Sequence, residues 1–338
     1  MPNAAGAGYY RFSMPAADWS KLATSFRTLG AGEQLALLHS MRAAFRAGST
    51  DASTYLATLR NGVTQGDWDV IGLSSDFLKE IHADLLEPAQ RAVFEQNMRT
   101  WFEKPLARVA APSAGAGSAS AALSRAALAS LGVSLARHPA SLAAFSARGA
   151  ALLKSVRDAR GPVILDELAP AALWAYVSSG GTDAASSVIE ALKSTREAEA
   201  RSTIIRAMAA ASDPAARSTI QDYVLTGELR VRELFAYLRE AFARVESRDA
   251  SWLWLRKNFG RLVSMTGENA ASRLVQLPAS LCSTAHEEQI RKFFEPLKSR
   301  IVGAPRTLSN TLETVKRCAE WKARVGKAVA NAALAPAK

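Results

Sequence analysis

Apolar side chains recur every three or four residues along most of this chain, with polar side chains between them. In one segment they follow the first apolar residue at offsets of 3, 4, 7, 11 and 14, which places them on one face of a helix. This segment contains Val231, Leu234, Phe235, Leu238, Phe242 and Val245. A second stripe of the same kind contains Leu308, Leu312, Val315, Cys318 and Val325. No comparable strand alternation occurs after residue 16, so the pattern predicts an all-α chain.

Capping residues mark where these helices begin and end. Aspartate at the N-cap and proline in the first turn favour a helix start, and glycine favours a stop. The predicted starts lie at Asp18, Glu33, Asp51, Asp67, Pro88, Pro139, Asp166, Thr182 and Asp213-Pro214. The predicted stops lie near Gly30, Gly48 and Asn61-Gly62.

The spacing of these signals predicts helices of roughly 12–20 residues joined by short connections, as in stacked helical pairs. No strict repeat unit is present, which favours an irregular HEAT-like α-superhelix, a solenoid, over a consensus array. We expect this domain to span residues 17–330, followed by a tail at 331–338. Residues 110–120 are rich in alanine, glycine and serine, and they predict a loop or hinge.

The first sixteen residues differ from the rest. The segment from Tyr9 to Phe12 follows a glycine-rich start, which predicts a short extended segment. An isolated strand cannot satisfy its backbone hydrogen bonds, and the remaining sequence predicts no sheet to pair with it. We therefore expect a truncated protein, in which Tyr9, Tyr10, Phe12 and Met14 contribute to an exposed apolar patch where the missing domains docked.

The composition is that of an ordinary globular protein, with 49% apolar and 22% charged residues, so the chain can bury a core. The formal net charge is +11, and 30 arginines stand against 12 lysines. Such a surplus suits nucleic acid, an acidic membrane surface or carboxylate-bearing ligands. The basic residues are spread along the whole chain, which favours a solvated positive surface instead.

Two cysteines, Cys282 and Cys318, lie far apart in the sequence, and a chain of this length can be stable without a disulfide. This favours buried thiols on helix faces over a disulfide, and two thiols alone cannot form a structural zinc site. No uninterrupted apolar run approaches the roughly 18 residues that span a bilayer. We expect any targeting signal to lie outside this chain, and the sequence leaves a cytoplasmic or periplasmic location open.

The histidines do not form a metal motif. The nearest candidate is HEEQI at residues 286–290, but an H-E-x-x-H zinc motif needs a second imidazole one helical turn on. Ile290 occupies that position, so His286 is better explained as an exposed histidine in a first helical turn. The glycines near residue 115 lack the third glycine of a dinucleotide fingerprint. The sequence therefore predicts no catalytic, cofactor-binding or metal-binding residue in this chain.

Two tryptophans lie beside basic residues and raise the question of nucleic-acid binding. Trp252 and Trp254 precede Arg256 and Lys257, an arrangement that allows base stacking with phosphate contacts. Tryptophans inside a helical apolar pattern are more often part of a core. We favour the core interpretation.

Three segments carry a resemblance to one family. The matching motifs are DP at 213–214, GELR at 227–230 and WLRKNF at 254–259, within residues 201–263. Residues 281–321 look like the same family's last helices, and NAAGAGYYRF at 3–12 is similar to a strand that closes its small β-sandwich. In this order they resemble the C-terminal superhelix of zinc aminopeptidases of the aminopeptidase N family, the gluzincin metallopeptidases. We expect a bacterial member.

The resemblance implies a non-catalytic domain whose partners are the catalytic and β-sandwich domains upstream in the same polypeptide. Residues 1–16 would be the remnant of the last β-sandwich strand. The zinc would belong to the catalytic domain, and this chain would cap the active site and enclose the chamber that binds peptide substrates. Arg244 would contact the C-terminal carboxylate of the peptide, unless it is a solvated arginine at a helix end.

A second class of function remains open. A free-standing helical scaffold could bind an acidic protein or nucleic acid without ever having belonged to a peptidase. An upstream reading frame with an H-E-x-x-H motif would favour the peptidase, and steeply salt-dependent nucleic-acid binding would favour the scaffold.

Overall fold

The computed structural model describes residues 2–8, 10–110, 118–161 and 163–335. Within them the chain forms seventeen α-helices and no β-strand, which confirms the all-α prediction. The first eight are α1 Ala16–Thr24, α2 Ala31–Ala47, α3 Ala52–Gln65, α4 Trp68–Glu80, α5 Pro88–Trp101, α6 Glu103–Ala110, α7 Ala119–Ser134 and α8 Pro139–Asp158. The others are α9 Ala169–Ser179, α10 Gly181–Ser194, α11 Ala198–Met208, α12 Pro214–Leu225, α13 Val231–Ala243, α14 Arg248–Thr266, α15 Ser272–Gln276, α16 Thr284–Phe294 and α17 Ala304–Ala333.

Several predicted helix starts are confirmed by their caps. The side chain of Asp51 accepts a hydrogen bond from the Thr54 backbone N–H, and that of Asp213 accepts one from the Ala216 N–H. Pro88 and Pro139 are the first residues of their helices, where a missing N–H costs nothing. Gly48 ends α2 in the left-handed conformation, with φ of 80°.

Other predicted boundaries are wrong. Asp18 lies in the first turn of α1, whose N-cap is Pro15, and the helix ends at Thr24 instead of near Gly30. The third helix continues three residues beyond Gly62, because this glycine serves close packing and does not act as a stop. A Cβ atom at Gly62 would lie 2.0 Å from the Ser74 hydroxyl oxygen of α4.

Two further starts are displaced. The helix predicted at Asp166 begins three residues later at Ala169, because Asp166 first accepts hydrogen bonds from the backbone N–H groups of Leu168 and Ala169. Thr182 is the second residue of α10, which begins at Gly181. Most of the loop predicted at 110–120 lies outside the described residues.

The chain divides into two compact units, residues 1–144 with 321–338, and residues 145–320. In the first unit α1 packs on α3, α2 on α4, and α4 on α7. Its core is built from large side chains buried on these helices and on the last part of α17. These include Trp19, Phe26, Phe45, Tyr55, Phe94, Phe102, Trp321 and Val329.

The amino-terminal segment folds back on the first helices. The Phe12 ring stacks on Trp19 at 5.5 Å, and the Phe12 N–H donates to the Ser40 hydroxyl at 3.3 Å. The backbone at Gly6 approaches Gly32 so closely that a Cβ at Gly6 would lie 2.5 Å from the Gly32 carbonyl oxygen. Residues 10–12 form no strand, and Tyr9 lies outside the described residues. Tyr10 is 54% exposed.

In the second unit the helices from α9 to α13 alternate between two layers. The helix α9 packs on α11, α11 packs on α13, and α10 packs on α12. Contacts between next-but-one helices are typical of an α-solenoid. In α13 the predicted stripe is largely confirmed, since Leu234, Phe235 and Phe242 are fully buried. Val231, at the start of this helix, is 39% exposed.

The two cysteines form a disulfide, so the prediction of separate buried thiols is wrong. Cys282 lies in the turn before α16 and Cys318 lies in α17, and their Cα atoms are 5.2 Å apart. Their separation of 36 residues concealed this, because only the return of α17 past the α16 turn brings them together. Neither sulfur is left as a free thiol.

Among the described residues, no single helix is long and apolar enough to cross a membrane. The bent pair formed by α7 and α8 passes that test of length and composition when the two helices are taken together.

Candidate functional site

Arg244 follows the last residue of α13 and occupies its C-cap position. Its backbone is extended there, with φ of −90° and ψ of 125°. The side chain does not lie free in solvent, since only 20% of it is exposed. Arg244 therefore lies at a helix end, as the alternative interpretation has it, but its side chain is mostly buried and not solvated.

The guanidinium of Arg244 lies against an aromatic ring from another helix. Its Cζ atom is 5.6 Å from the ring centroid of Trp174 in α9, and one Nη atom is 3.6 Å from a carboxylate oxygen of Glu240. Burial lowers the pKa of Arg244, while the carboxylates of Glu240 and Glu246 oppose this shift. No sequence signal links Arg244 to Trp174, because the two lie 70 positions apart and meet only through the packing of the helices.

Two buried N–H donors in this cluster have no acceptor among the residues that the structure describes. They are the Nε of Arg244 and the indole Nε1 of Trp174, which is only 7% exposed. A buried donor without a partner costs about 1–3 kcal/mol, so an arriving acceptor would recover part of that free energy. A desolvated guanidinium that stacks on an indole is also a strong ligand for a carboxylate. Both donor atoms are shielded from solvent, so a carboxylate could reach them only after the neighbouring side chains move.

His286 lies in the first turn of α16, as predicted, but it is half-buried instead of exposed. Its Nδ1 is 2.8 Å from the Ser283 hydroxyl, and its Nε2 is 3.4 Å from a carboxylate oxygen of Asp249. Burial lowers its pKa. These contacts explain why the ring turns inward.

Ser283 is the N-cap of α16, and Asp249 is a residue of α14 that contacts the His286 ring from outside the cap. The Ser283 hydroxyl accepts a hydrogen bond from the His286 backbone N–H at 3.1 Å, which is the N-cap bond of α16. Ile290, where a zinc motif would need its second imidazole, is fully buried. The HEEQI segment therefore does not fit a zinc ion, and both cysteine sulfurs are held in the disulfide.

Trp252 belongs to the core of the second unit, as predicted. It is 1% exposed, its Nε1 donates to the Gln289 side chain at 3.1 Å, and its ring meets Phe293 edge to face at 5.7 Å. Arg256 covers the same two rings with its guanidinium. A buried indole with its N–H already bonded offers no face for base stacking.

Residues 1–317 match the model of the ERAP1-like C-terminal domain. This family forms a non-catalytic C-terminal domain in aminopeptidases of the aminopeptidase N family. No curated protein matches the chain in sequence. Because the match covers more than nine-tenths of the sequence, the chain belongs to the ERAP1-like C-terminal domain family.

Proposed function

We propose that this chain caps the active site of a zinc aminopeptidase and encloses the chamber in which peptides bind. The observation that carries the proposal is the family match over residues 1–317, because this family occurs as the C-terminal domain of such enzymes. The two-layered stack of α9 to α13 supports it, since a HEAT-like solenoid presents an extended concave surface for a ligand.

The catalytic zinc would be held by another domain of the same polypeptide. The HEEQI segment lacks a second histidine, because the buried Ile290 occupies its place. Cys282 and Cys318 are joined in a disulfide, so their sulfurs are not available as zinc ligands. The upstream partners would be that catalytic domain and a β-sandwich domain whose last strand corresponds to residues 1–16. A bacterial source also stays a prediction.

Within the chamber, Arg244 would contact the C-terminal carboxylate of the peptide. Its support is the low exposure of both side chains, together with the Arg244 Nε and the Trp174 Nε1, which find no acceptor within the described part of the chain. A peptide whose amino end lies at the zinc would reach this carboxylate contact only if its length matched the chamber.

The test compares this chain with the longer polypeptide that its upstream reading frame encodes. We expect the longer protein to hydrolyse leucine-7-amido-4-methylcoumarin, to retain zinc by metal analysis, and to lose peptide turnover when residues 17–330 are deleted. We expect this chain alone to show neither activity nor stoichiometric zinc. A stop codon directly upstream of Met1 would contradict the proposal.

The second candidate is a free-standing scaffold for an acidic protein or nucleic acid, favoured by the net charge of +11. Its signature would be binding of a labelled duplex that weakens along a steep log–log slope with salt. Such a slope, together with an upstream stop codon, would replace the peptidase proposal.

A further inference from the structure

A pocket of about 380 Å³ opens in the second unit between α13 and the segment that follows α14. Its volume falls within the range of roughly 300–1,000 Å³ that holds small-molecule ligands. One wall is formed by the α13 residues Phe235, Arg239 and Phe242, and the facing wall by Arg273, Gln276 and Leu277. Arg244 does not line it, so this pocket is separate from the arginine cluster described above.

The two walls are held together by hydrogen bonds that do not involve the pocket's charged groups. The Ser280 hydroxyl donates to the Phe242 carbonyl oxygen at 2.8 Å, and Arg248 donates to the Ser280 carbonyl oxygen at 3.1 Å. The segment carrying Arg273 is therefore fixed against the end of α13. The pocket is preformed, which lowers the entropic cost of binding a ligand.

The floor of the pocket is apolar. Leu277 is 8% exposed and Ala243 is exposed, whereas Phe235 and Phe242, at 1% exposure each, lie beneath the pocket and are almost wholly covered by neighbouring atoms. A ligand that covered Leu277 and Ala243 would gain from the removal of their apolar area from water.

Among the described residues that line the pocket, two carry a positive charge and none carries a negative one. Arg239 and Arg273 are exposed, and neither has an ion pair or hydrogen bond within the described part of the chain. The guanidinium of Arg273 lies over the Phe235 ring, with its Cζ atom 4.0 Å from the centroid. By contrast, Arg201 and Arg157 in the same unit each bind a glutamate.

We propose that this pocket binds a small organic anion in which a flat aromatic group carries a carboxylate or a phosphate. The anionic group would lie between the guanidinium groups of Arg239 and Arg273, which can form charge-assisted hydrogen bonds with either head group. The aromatic group would lie against Leu277 and Ala243. Stacking of Arg273 on Phe235 already holds one of the two donors in place. This inference is independent of the proposed peptidase role.

The test is calorimetric titration of the chain with four probes: 2-naphthoate, 2-naphthyl phosphate, neutral 2-naphthamide and acetate. We expect one of the two naphthyl anions to bind at least about tenfold more tightly than the amide or acetate, because only the anions use both the charges and the apolar floor. The tighter of the two identifies the head group. If neither anion binds more tightly than the amide, the proposal is wrong.

Substitution of the two arginines tests whether the probe binds at this pocket. We expect Arg239→Gln and Arg273→Gln each to weaken the tighter probe about tenfold, and the matched control Arg232→Gln to leave its affinity unchanged. Arg232 is an exposed residue of α13 that does not line the pocket. All three side chains are exposed, so each variant should stay folded, which its thermal unfolding checks. Equal affinity of the Arg239→Gln/Arg273→Gln double variant and the unsubstituted chain would overturn the assignment.

Discussion

Arg201 of α11 binds Glu233 of α13 through two nitrogens of its guanidinium. Its Nε and one Nη donate to the two carboxylate oxygens at 2.7 and 3.0 Å. Only 12% and 13% of the two side chains are exposed. Glu233 also accepts a hydrogen bond from the Arg230 backbone N–H at 3.0 Å, at the start of α13. One carboxylate thus joins two helices of the same layer and caps one of them.

We expect Glu233→Gln to lower the free energy of unfolding by about 2 kcal/mol, because it leaves a nearly buried guanidinium without its counter-charge. Urea unfolding measures this. The matched control is Glu190→Gln, whose partner Arg157 forms an exposed pair with it. Exposed pairs contribute about 0–1 kcal/mol, so the control should change stability little. Equal losses in the two variants would contradict the role assigned to burial.

The same carboxylate gives a pH prediction. The hydrogen bond from Arg201 lowers the pKa of Glu233 below its ordinary value of 4.5. Its stabilising contribution is therefore complete above that value and is lost as the pH falls through the lower, folded-state pKa. We expect the free energy of unfolding to decline below about pH 4.5, and Glu233→Gln to decline less steeply over that window. Parallel curves for the two proteins would show that other carboxylates control the acid response.

The local pattern of the sequence accounts for most of the helices but not for how they meet. Asp51 and Asp213 cap helices because their side chains reach a backbone N–H three residues on, which is a local relationship. Gly62 misled the prediction because its neighbour Ser74 belongs to another helix. The sequence shows that a residue is small, whereas only the packed structure shows whether it ends a helix or admits a partner.

The disulfide is a second case of a long-range relationship. Cys318 was predicted correctly as part of an apolar helical stripe, but its bond to Cys282 depends on the return of α17 past the turn before α16. Likewise the family resemblance pointed to Arg244, but nothing in the sequence predicted the contact of Arg244 with Trp174.

We expect loss of the disulfide to lower the free energy of unfolding by about 3–4 kcal/mol, as the chain-entropy model gives for a loop of some 36 residues. Urea unfolding of the Cys282→Ser/Cys318→Ser double variant measures it. Dithiothreitol should destabilise the unsubstituted chain by the same amount and leave the double variant unaffected. A chain that unfolds identically with and without reductant would show that the bond contributes nothing.

The role of Arg244 can be tested with a pair of peptides that differ only at the carboxyl end. If the Arg244 Nε binds the C-terminal carboxylate, then a peptide with a free carboxylate should bind more tightly than the same peptide as its amide. A charge-assisted hydrogen bond contributes about 1.5–3 kcal/mol, so we expect a difference of about tenfold or more. Fluorescence anisotropy with an amino-terminally labelled peptide pair measures it.

Arg244→Gln should abolish the preference for the acid, because glutamine keeps a donor but carries no charge. Trp174→Phe should reduce the preference while preserving most of the packing, since it removes the unpartnered indole N–H beside the guanidinium. Arg206→Gln is the control, because Arg206 is an exposed arginine of α11 with no partner in the described part of the chain. If the acid and the amide bind the unsubstituted chain equally, Arg244 is not the carboxylate contact. Its contacts with Trp174 and Glu240 would then serve only to hold the end of α13 in place.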